Sequence, residues 1–237
     1  MAQGSFGRIS IKEDFTGGIT VEGTSERTKF GDLAQLAVGT AVLSQTVDEP
    51  GGVLAMTTGA SDADNVVLYG GPFKPADGGC WMEARIKMDA ITTIAVYVGF
   101  SETLATTPVM PAEFSGSTMD YVATGSLVGL SFDSDGTTDD WRAVAAETNV
   151  TSGDADTNGT ASGVPPVADE WDIIRVEIDS DGRGRVYRDE VLIKDVGVFC
   201  TPGDVQHALV MVETRTTAAS AIEIDYFLAS GNRDWTK

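Results

Sequence analysis

Two carboxylates stand two residues apart in Ile222-Glu223-Ile224-Asp225-Tyr226-Phe227, a segment that alternates as a strand and so sets Glu223 and Asp225 on one face. Paired acids lining a groove are what glycoside hydrolysis uses, with one protonating the leaving oxygen and one acting as nucleophile, about 5 Å apart in retaining enzymes. Tyr226, Phe227 and Leu228 follow, so a second catalytic acid has no candidate on this strand. The other reading of Glu223 and Asp225 is the solvated face of a strand.

A different chemistry is open to Asp133, Asp135, Asp139 and Asp140, which crowd one turn with Gly136 among them. Carboxylates at alternate positions can wrap calcium, a hard cation that takes several oxygens. Asp179, Asp181 and Gly182 make a second, weaker version. Asp-Gly turns also serve plain hairpins, where the glycine supplies positive φ. His207 is the sole histidine. It has no Ser or Cys nucleophile in a suitable context nearby, and one imidazole cannot build a multi-histidine metal centre. Sugar binding would instead use aromatic rings on a concave face. Trp81, Tyr97, Trp141, Tyr187 and Trp235 are the candidates by alternation, with Tyr97 and Trp141 placed opposite the more apolar face of their strands. Large residues are equally what the buried layers of a sandwich require.

The elements that must position these groups are strands. Met82/Ala84/Ile86/Met88 alternate against Glu83/Arg85/Lys87/Asp89, and Ile174/Val176/Ile178 against Arg175/Glu177/Asp179. Such alternation describes antiparallel strands with one face in a core and one in water. Ile94/Val96/Val98/Phe100 continue the first of these, which predicts a hairpin across 90–93, and Leu127 to Phe132 pairs with Trp141 to Ala146. With Leu33 to Leu43, Gly52 to Thr58, Asn65 to Tyr69, Arg185 to Arg188, Val191 to Val196, Ala208 to Glu213 and Ala221 to Leu228, about a dozen strands result, too many for one open sheet. The expected fold class is all-β, a two-sheet antiparallel β-sandwich. Helix is limited to a short turn near Glu26 to Leu36 or Met110 to Phe114. Residues 25–237 read as one domain with long polar excursions near 101–125 and 148–169, and residues 1–24 as a docking arm or the first edge strand.

Acidic residues outnumber basic ones 36 to 16, for a formal charge of -20, which disfavours direct contact with nucleic acid or an anionic membrane. Cys80 and Cys200 lack metal-type spacing and are expected as buried free thiols, with a disulfide between them as the alternative. The first residues carry no signal-peptide core and no segment is long and apolar enough to span a bilayer, so the expected site of synthesis is a cytoplasm.

Ile222-Glu223-Ile224-Asp225 resembles the first half of the Glu-x-Asp-x-x-Glu signature of laminarinase-like glucanases, whose last acid falls here at Leu228. More broadly, Met82-Glu-Ala-Arg-Ile-Lys-Met, Val96-Tyr-Val-Gly-Phe-Ser-Glu, Val128-Gly-Leu-Ser-Phe-Asp-Ser-Asp-Gly and Trp171-Asp-Ile-Ile-Arg-Val-Glu-Ile-Asp-Ser-Asp-Gly resemble concanavalin A-like (laminin G-like) jelly rolls, in particular those among structural proteins of tailed bacteriophages. That resemblance covers about residues 80–230. It implies a non-enzymatic virion component, a capsid decoration protein or head or tail fibre element. Such a protein would assemble in a host cytoplasm as a homo-oligomer and dock on a major capsid or tail protein. Its alternative is a carbohydrate-binding module or a degenerate glucanase-like jelly roll that meets a host-surface glycan through Tyr97, Trp141, Glu223 and Asp225. No cofactor is implied beyond possible calcium at Asp133, Asp135, Asp139 and Asp140.

Overall fold

The computed structural model describes residues 7–16, 20–24, 29–46, 51–122, 124–148, 150–151, 153 and 155–233. They form two packed antiparallel sheets of nine strands each, with a two-stranded hairpin laid over one of them. The first sheet runs β18 (Val191–Val198), β17 (Arg183–Arg188), β16 (Trp171–Ile178), β8 (Cys80–Met88), β20 (Ala221–Asn232), β6 (Val53–Thr57), β5 (Thr40–Thr46), β2 (Thr20–Thr24). Its ninth strand, β1 (Arg8–Glu13), pairs along the C-terminal half of β20, from Arg8 opposite Asn232 to Glu13 opposite Phe227. The second sheet runs β14 (Val150–Thr151), β13 (Arg142–Glu147), β12 (Ser126–Asp133), β9 (Ile94–Ser101), β19 (Gln206–Thr214), β7 (Asn65–Phe73), β4 (Leu33–Val38), β3 (Lys29–Phe30), with β15 (Thr160–Ala161) on β13. The hairpin is β10 (Ala112–Ser115) with β11 (Thr118–Tyr121).

The two sheets differ in what lies outside them, and the sequence carries the difference. In β8, buried Cys80, Met82, Ala84, Ile86 and Met88 alternate with half-buried Trp81, Glu83, Arg85 and Lys87. β16 and β17 alternate in the same way. One face of this sheet fills the core and the other stays open. In β9 and β12 every residue is buried. Ile94, Val96, Val98, Phe100, Val128 and Leu130 enter the inter-sheet core. Tyr97, Leu127, Leu209 and Met211 form a second apolar layer with Met110, Phe114, Met119 and Tyr121 of the overlying hairpin region. The excursion 101–125 is therefore a roof on the covered sheet. Each aliphatic or phenylalanine side chain that it or the core buries fully is worth about 1.5–3 kcal/mol.

The same difference corrects one pairing. β8 and β9 are not a hairpin: β8 pairs with β16 and β20 in the open sheet, and β9 with β12 and β19 in the covered one. Strands whose outer faces are Glu83/Arg85/Lys87 in one and Ala95/Tyr97/Gly99 in the other cannot share a surface without exposing apolar groups or burying charges. The segment Leu33 to Leu43 likewise divides into β4 and β5, which belong to opposite sheets. The break falls at Gly39, whose φ of 75° and closeness to the Asp64 carboxylate leave no room for a side chain. The helical turn expected near residues 26–36 or 110–114 is absent from the described parts of those segments, which are strand joined by turn and irregular backbone, and a 3₁₀ turn at Pro75–Asp77 is the longest helical piece among the described residues.

Candidate functional site

The open sheet presents Trp81, Tyr187, Trp171 and Tyr226 on its outer face, all half-buried, among charged side chains. Register sets them in successive rows. Trp171 lies opposite Lys87, which lies opposite Glu223. Tyr226 lies opposite Arg85, Tyr187 opposite Arg175, and Trp81 opposite Glu177 and Ser230. The seven residues of β8 from Trp81 to Lys87 span about 20 Å at the usual rise of a strand. Cations sit over the rings: the Arg85 guanidinium is 4.6 Å and the Lys87 ammonium 5.0 Å from the Trp171 ring centre, and Arg175 lies 5.7 Å from Trp81 and 5.9 Å from Tyr187.

Glu223 and Asp225 belong to this face, each held by a cation. Lys87 Nζ is 2.5 Å from Glu223 Oε2, and Thr46 donates to Oε1 at 3.3 Å. Arg85 Nη1 donates to Asp225 at 2.6 Å. The register with β8 slips between Ile224 and Tyr226, so Asp225 is a bulge residue. The bulge turns Tyr226 outward beside it and returns Phe227 to the core. Leu228, where the glucanase signature has its last acid, lies opposite Glu83, whose carboxylate accepts the Tyr226 hydroxyl at 2.9 Å. Burial and that neighbouring carboxylate push the Tyr226 phenol well up from its usual range. Across the face the ionic groups are matched: Arg185 donates to Glu177 at 3.2 Å and Asp179 at 2.5 Å, Arg175 pairs with Glu177, and Arg183 with Asp195.

At the Trp81 end the face opens into a pocket of about 550 Å³ lined by Arg8, Trp81, Glu177, Asp179, Asp181 and Asn232. Its wall is bare backbone at Gly78 and Gly79. Gly79 has a φ of 83°, and a Cβ there would meet the Ile178 carbonyl at 2.8 Å. Cys80 lines the same pocket, and it and Cys200 are buried free thiols. Burial pushes Cys200 up to about 12 and Cys80 higher, so neither is a nucleophile at neutral pH.

Tyr97 and Trp141 do not reach this site or any surface. Tyr97 is fully buried beneath the roof and donates to the Phe100 carbonyl at 2.8 Å. Desolvation drives its phenol well above the usual value. Trp141 is fully buried in the inter-sheet core, edge-on to Phe132 at 5.7 Å, with Nε1 donating to Asp172 at 3.0 Å. Neither ring is open to a sugar. Trp235 lies outside the described residues.

The acidic turn does not bring its four carboxylates together either. Asp133 is buried and spends both oxygens on protein donors: the Phe114 amide at 2.6 Å, the Asp135 amide at 3.0 Å, and Arg215, whose Nε is 3.0 Å away. Asp140 turns to another loop, where it accepts from the Ser162 hydroxyl at 2.6 Å and the Gly163 amide at 3.0 Å. Asp135 and Asp139 point into solvent. Among the described residues no three His, Cys, Asp or Glu side chains are grouped to hold a metal. A guanidinium and backbone amides satisfy the charge that spacing alone assigned to calcium.

Trp171, Tyr226, Arg8 and Asn232 were not among the site residues expected. A signal existed for the first. Trp171 shares the polar register of Arg175 and Glu177, and an aromatic ring on the water side of an alternating strand is the mark of a contact surface. Tyr226 was hidden by the bulge, and Arg8 and Asn232 by the pairing of the two chain ends.

No known family profile matches the chain, and no curated protein does. Solved structures match its fold at low identity. A protein of unknown function from Shewanella oneidensis MR-1 superposes with a TM-score of 0.64 at 12% identity, covering 98% of this chain and 89% of that one. The carbohydrate recognition domain of Emp47p superposes with a TM-score of 0.55 at 12% identity, covering 93% of each chain. Cip1, a cellulose-induced protein, gives 0.52 at 12% identity over 92% of this chain and 96% of that one. The chain has the two-sheet, concanavalin A-like sandwich fold.

Proposed function

We propose that this protein is a non-catalytic carbohydrate-binding domain that receives sugar on its open sheet and in the pocket at the Trp81 end. The observation that carries this reading is the row-by-row array of Trp171, Tyr226, Tyr187 and Trp81 on one exposed face, interleaved with fixed carboxylates and guanidinium groups. A pyranose has an apolar face that covers an aromatic ring and a rim of hydroxyls that needs planar donors and acceptors close by. Ion pairs suit that purpose, since Arg85–Asp225 and Arg185–Asp179 hold their polar atoms in place while keeping free edges toward solvent. The same pairing speaks against turnover. A glycosidase needs one carboxyl free to give a proton to the leaving oxygen and another free to attack, whereas Glu223 and Asp225 are both engaged in ion pairs, with Lys87 and Arg85.

The likeness to the carbohydrate recognition domain of Emp47p is one of fold and supports the reading to that extent. The aromatic array on the open face favours the glycan-binding alternative over the virion structural role that the phage resemblance implies. A glycan array probed with the whole chain and with Trp81→Ala tests the proposal. Binding by the native chain that Trp81→Ala abolishes, with no released sugar, is the expected outcome; release of reducing ends, or indifference to Trp81→Ala, would contradict it.

A further inference from the structure

The pocket beside Trp81 does not end at β1. Arg8 also lines a second depression of about 350 Å³ with Ser10, Asp32 and Arg233. That depression shares Asp32, Gly71 and Pro72 with a third of about 320 Å³, which reaches Tyr69 and His207. The three hollows thus form a chain across the end of the sandwich, and Arg8 stands where the first meets the second.

The pairing of the chain ends sets both Arg8 and Arg233 in the lining of the depression beside β1. Arg8 is opposite Asn232, and the Arg233 amide donates to the Gly7 carbonyl at 3.0 Å. Both are exposed, and neither has a side-chain partner among the described residues. Every other described arginine is committed: Arg85, Arg175, Arg183, Arg185, Arg188 and Arg215 to carboxylates, and Arg142 to the Asn158 and Gly159 carbonyls and the Thr138 hydroxyl. A chain with 36 acidic and 16 basic residues has carboxylates to spare, yet no described one covers these two guanidinium groups. On a surface of net charge -20 an anionic ligand is repelled except where cations stand unneutralised.

We infer that the carbohydrate this chain receives bears an anionic group, a carboxylate or a sulfate ester, which Arg8 and Arg233 bind where the Trp81 pocket runs into the depression beside β1. The inference rests on the carbohydrate-binding reading and adds the chemical class of the sugar. Guanidinium matches a planar carboxylate or the oxygens of a sulfate with paired N–H donors, whereas neutral hydroxyls gain nothing from its charge.

The test is calorimetric titration of the full chain with oligogalacturonate, a sulfated galactan oligomer and a neutral gluco-oligosaccharide of the same length, in low and moderate salt. One anionic probe is expected to bind about ten-fold or more tightly than the neutral one, to weaken as salt rises, and to fall to the neutral level in Arg8→Gln/Arg233→Gln. Whichever anionic probe is preferred identifies the group. The double variant changes two exposed side chains, and an unchanged melting midpoint certifies its fold. Equal binding of neutral and anionic probes, or an anionic preference that survives the double substitution, would overturn the inference while leaving the carbohydrate-binding reading in place. Failure of all three probes, together with a blank array, would overturn both.

Discussion

Arg215 closes on Asp133 from 82 positions away in the chain, joining the ends of β19 and β12 beneath the roof of the covered sheet. The same guanidinium reaches Glu113 of the roof hairpin at 2.8 Å and Glu213 of β19 at 3.0 Å. Asp133 meanwhile accepts from the amide of Phe114 in the hairpin. Removing Arg215 leaves buried carboxylates facing one another without a counter-charge, a change that costs about 3–5 kcal/mol for a broken buried pair. Arg215→Met is expected to lower the unfolding free energy by that order, read from urea denaturation. Because the oxygens of Asp133 are already filled, calcium and chelator should leave the melting midpoint of the native chain unchanged; a rise of several degrees with calcium would reinstate the acidic turn as a metal site.

The same cluster sets a pH dependence. Glu213 is pushed up to about 8, first by burial and then by the neighbouring Glu113 carboxylate, while Arg215 and Asn65 pull it down without offsetting the rise. An unfolded glutamate titrates near 4.3, so the folded chain holds this proton more tightly than the unfolded one. Stability from that proton is complete below about 4 and is lost as pH climbs through about 8. Asp89, also raised by burial, adds a loss of the same sign as pH rises. Thermal midpoints measured from pH 5 to 9 should fall with pH, and Glu213→Gln, which keeps the shape without the ionisation, should flatten the curve. A flat native profile would show that Glu213 titrates normally.

Much of the fold was legible because one sheet faces water. The alternation of Met82/Ala84/Ile86/Met88 with Glu83/Arg85/Lys87 is a direct record of that face, and so is that of β16. The covered sheet was harder to read, since both its faces are apolar and periodicity loses direction. In Trp141-Arg-Ala-Val-Ala-Ala every residue but Arg142 is small or apolar, and the assignment of Trp141 to an outer face reversed its true position with Ala143 and Ala145 in the core. Tyr97 was placed on the correct side of β9, but its cover comes from residues 110–121, which no local pattern announces. The partner of Asp133 lay equally far off. Glu223 and Asp225 were found on one face as expected, although their cations and the bulge at Asp225 depend on β8.

Trp141 and Trp81 should therefore behave oppositely. Trp141→Phe removes the donor to Asp172, a residue that Arg188 also holds at 2.7 Å, and leaves a gap in the core. A loss of about 1–3 kcal/mol in unfolding free energy is expected, with sugar binding retained by the folded fraction. Trp81→Ala, on the outer face, should change stability little and abolish binding. Equilibrium unfolding and a binding titration on both variants separate the two roles; loss of binding in Trp141→Phe at full stability would return that residue to the site.

Glu223 and Asp225 offer the sharpest contrast between binding and catalysis. If they position ligand hydroxyls through Lys87 and Arg85, Glu223→Gln keeps an acceptor of the same shape and should weaken sugar binding by less than about ten-fold, the scale of one charged hydrogen bond. Lys87→Met would leave Glu223 beside an apolar stem and should weaken binding more, since the carboxylate loses its anchor and the Trp171 ring loses the ammonium 5.0 Å above it. A hydrolase would respond in the reverse order, with turnover collapsing in Glu223→Gln whatever became of affinity. Measuring bound sugar and released reducing ends side by side on the two variants decides between these orders, and the cation held against each carboxylate predicts the first.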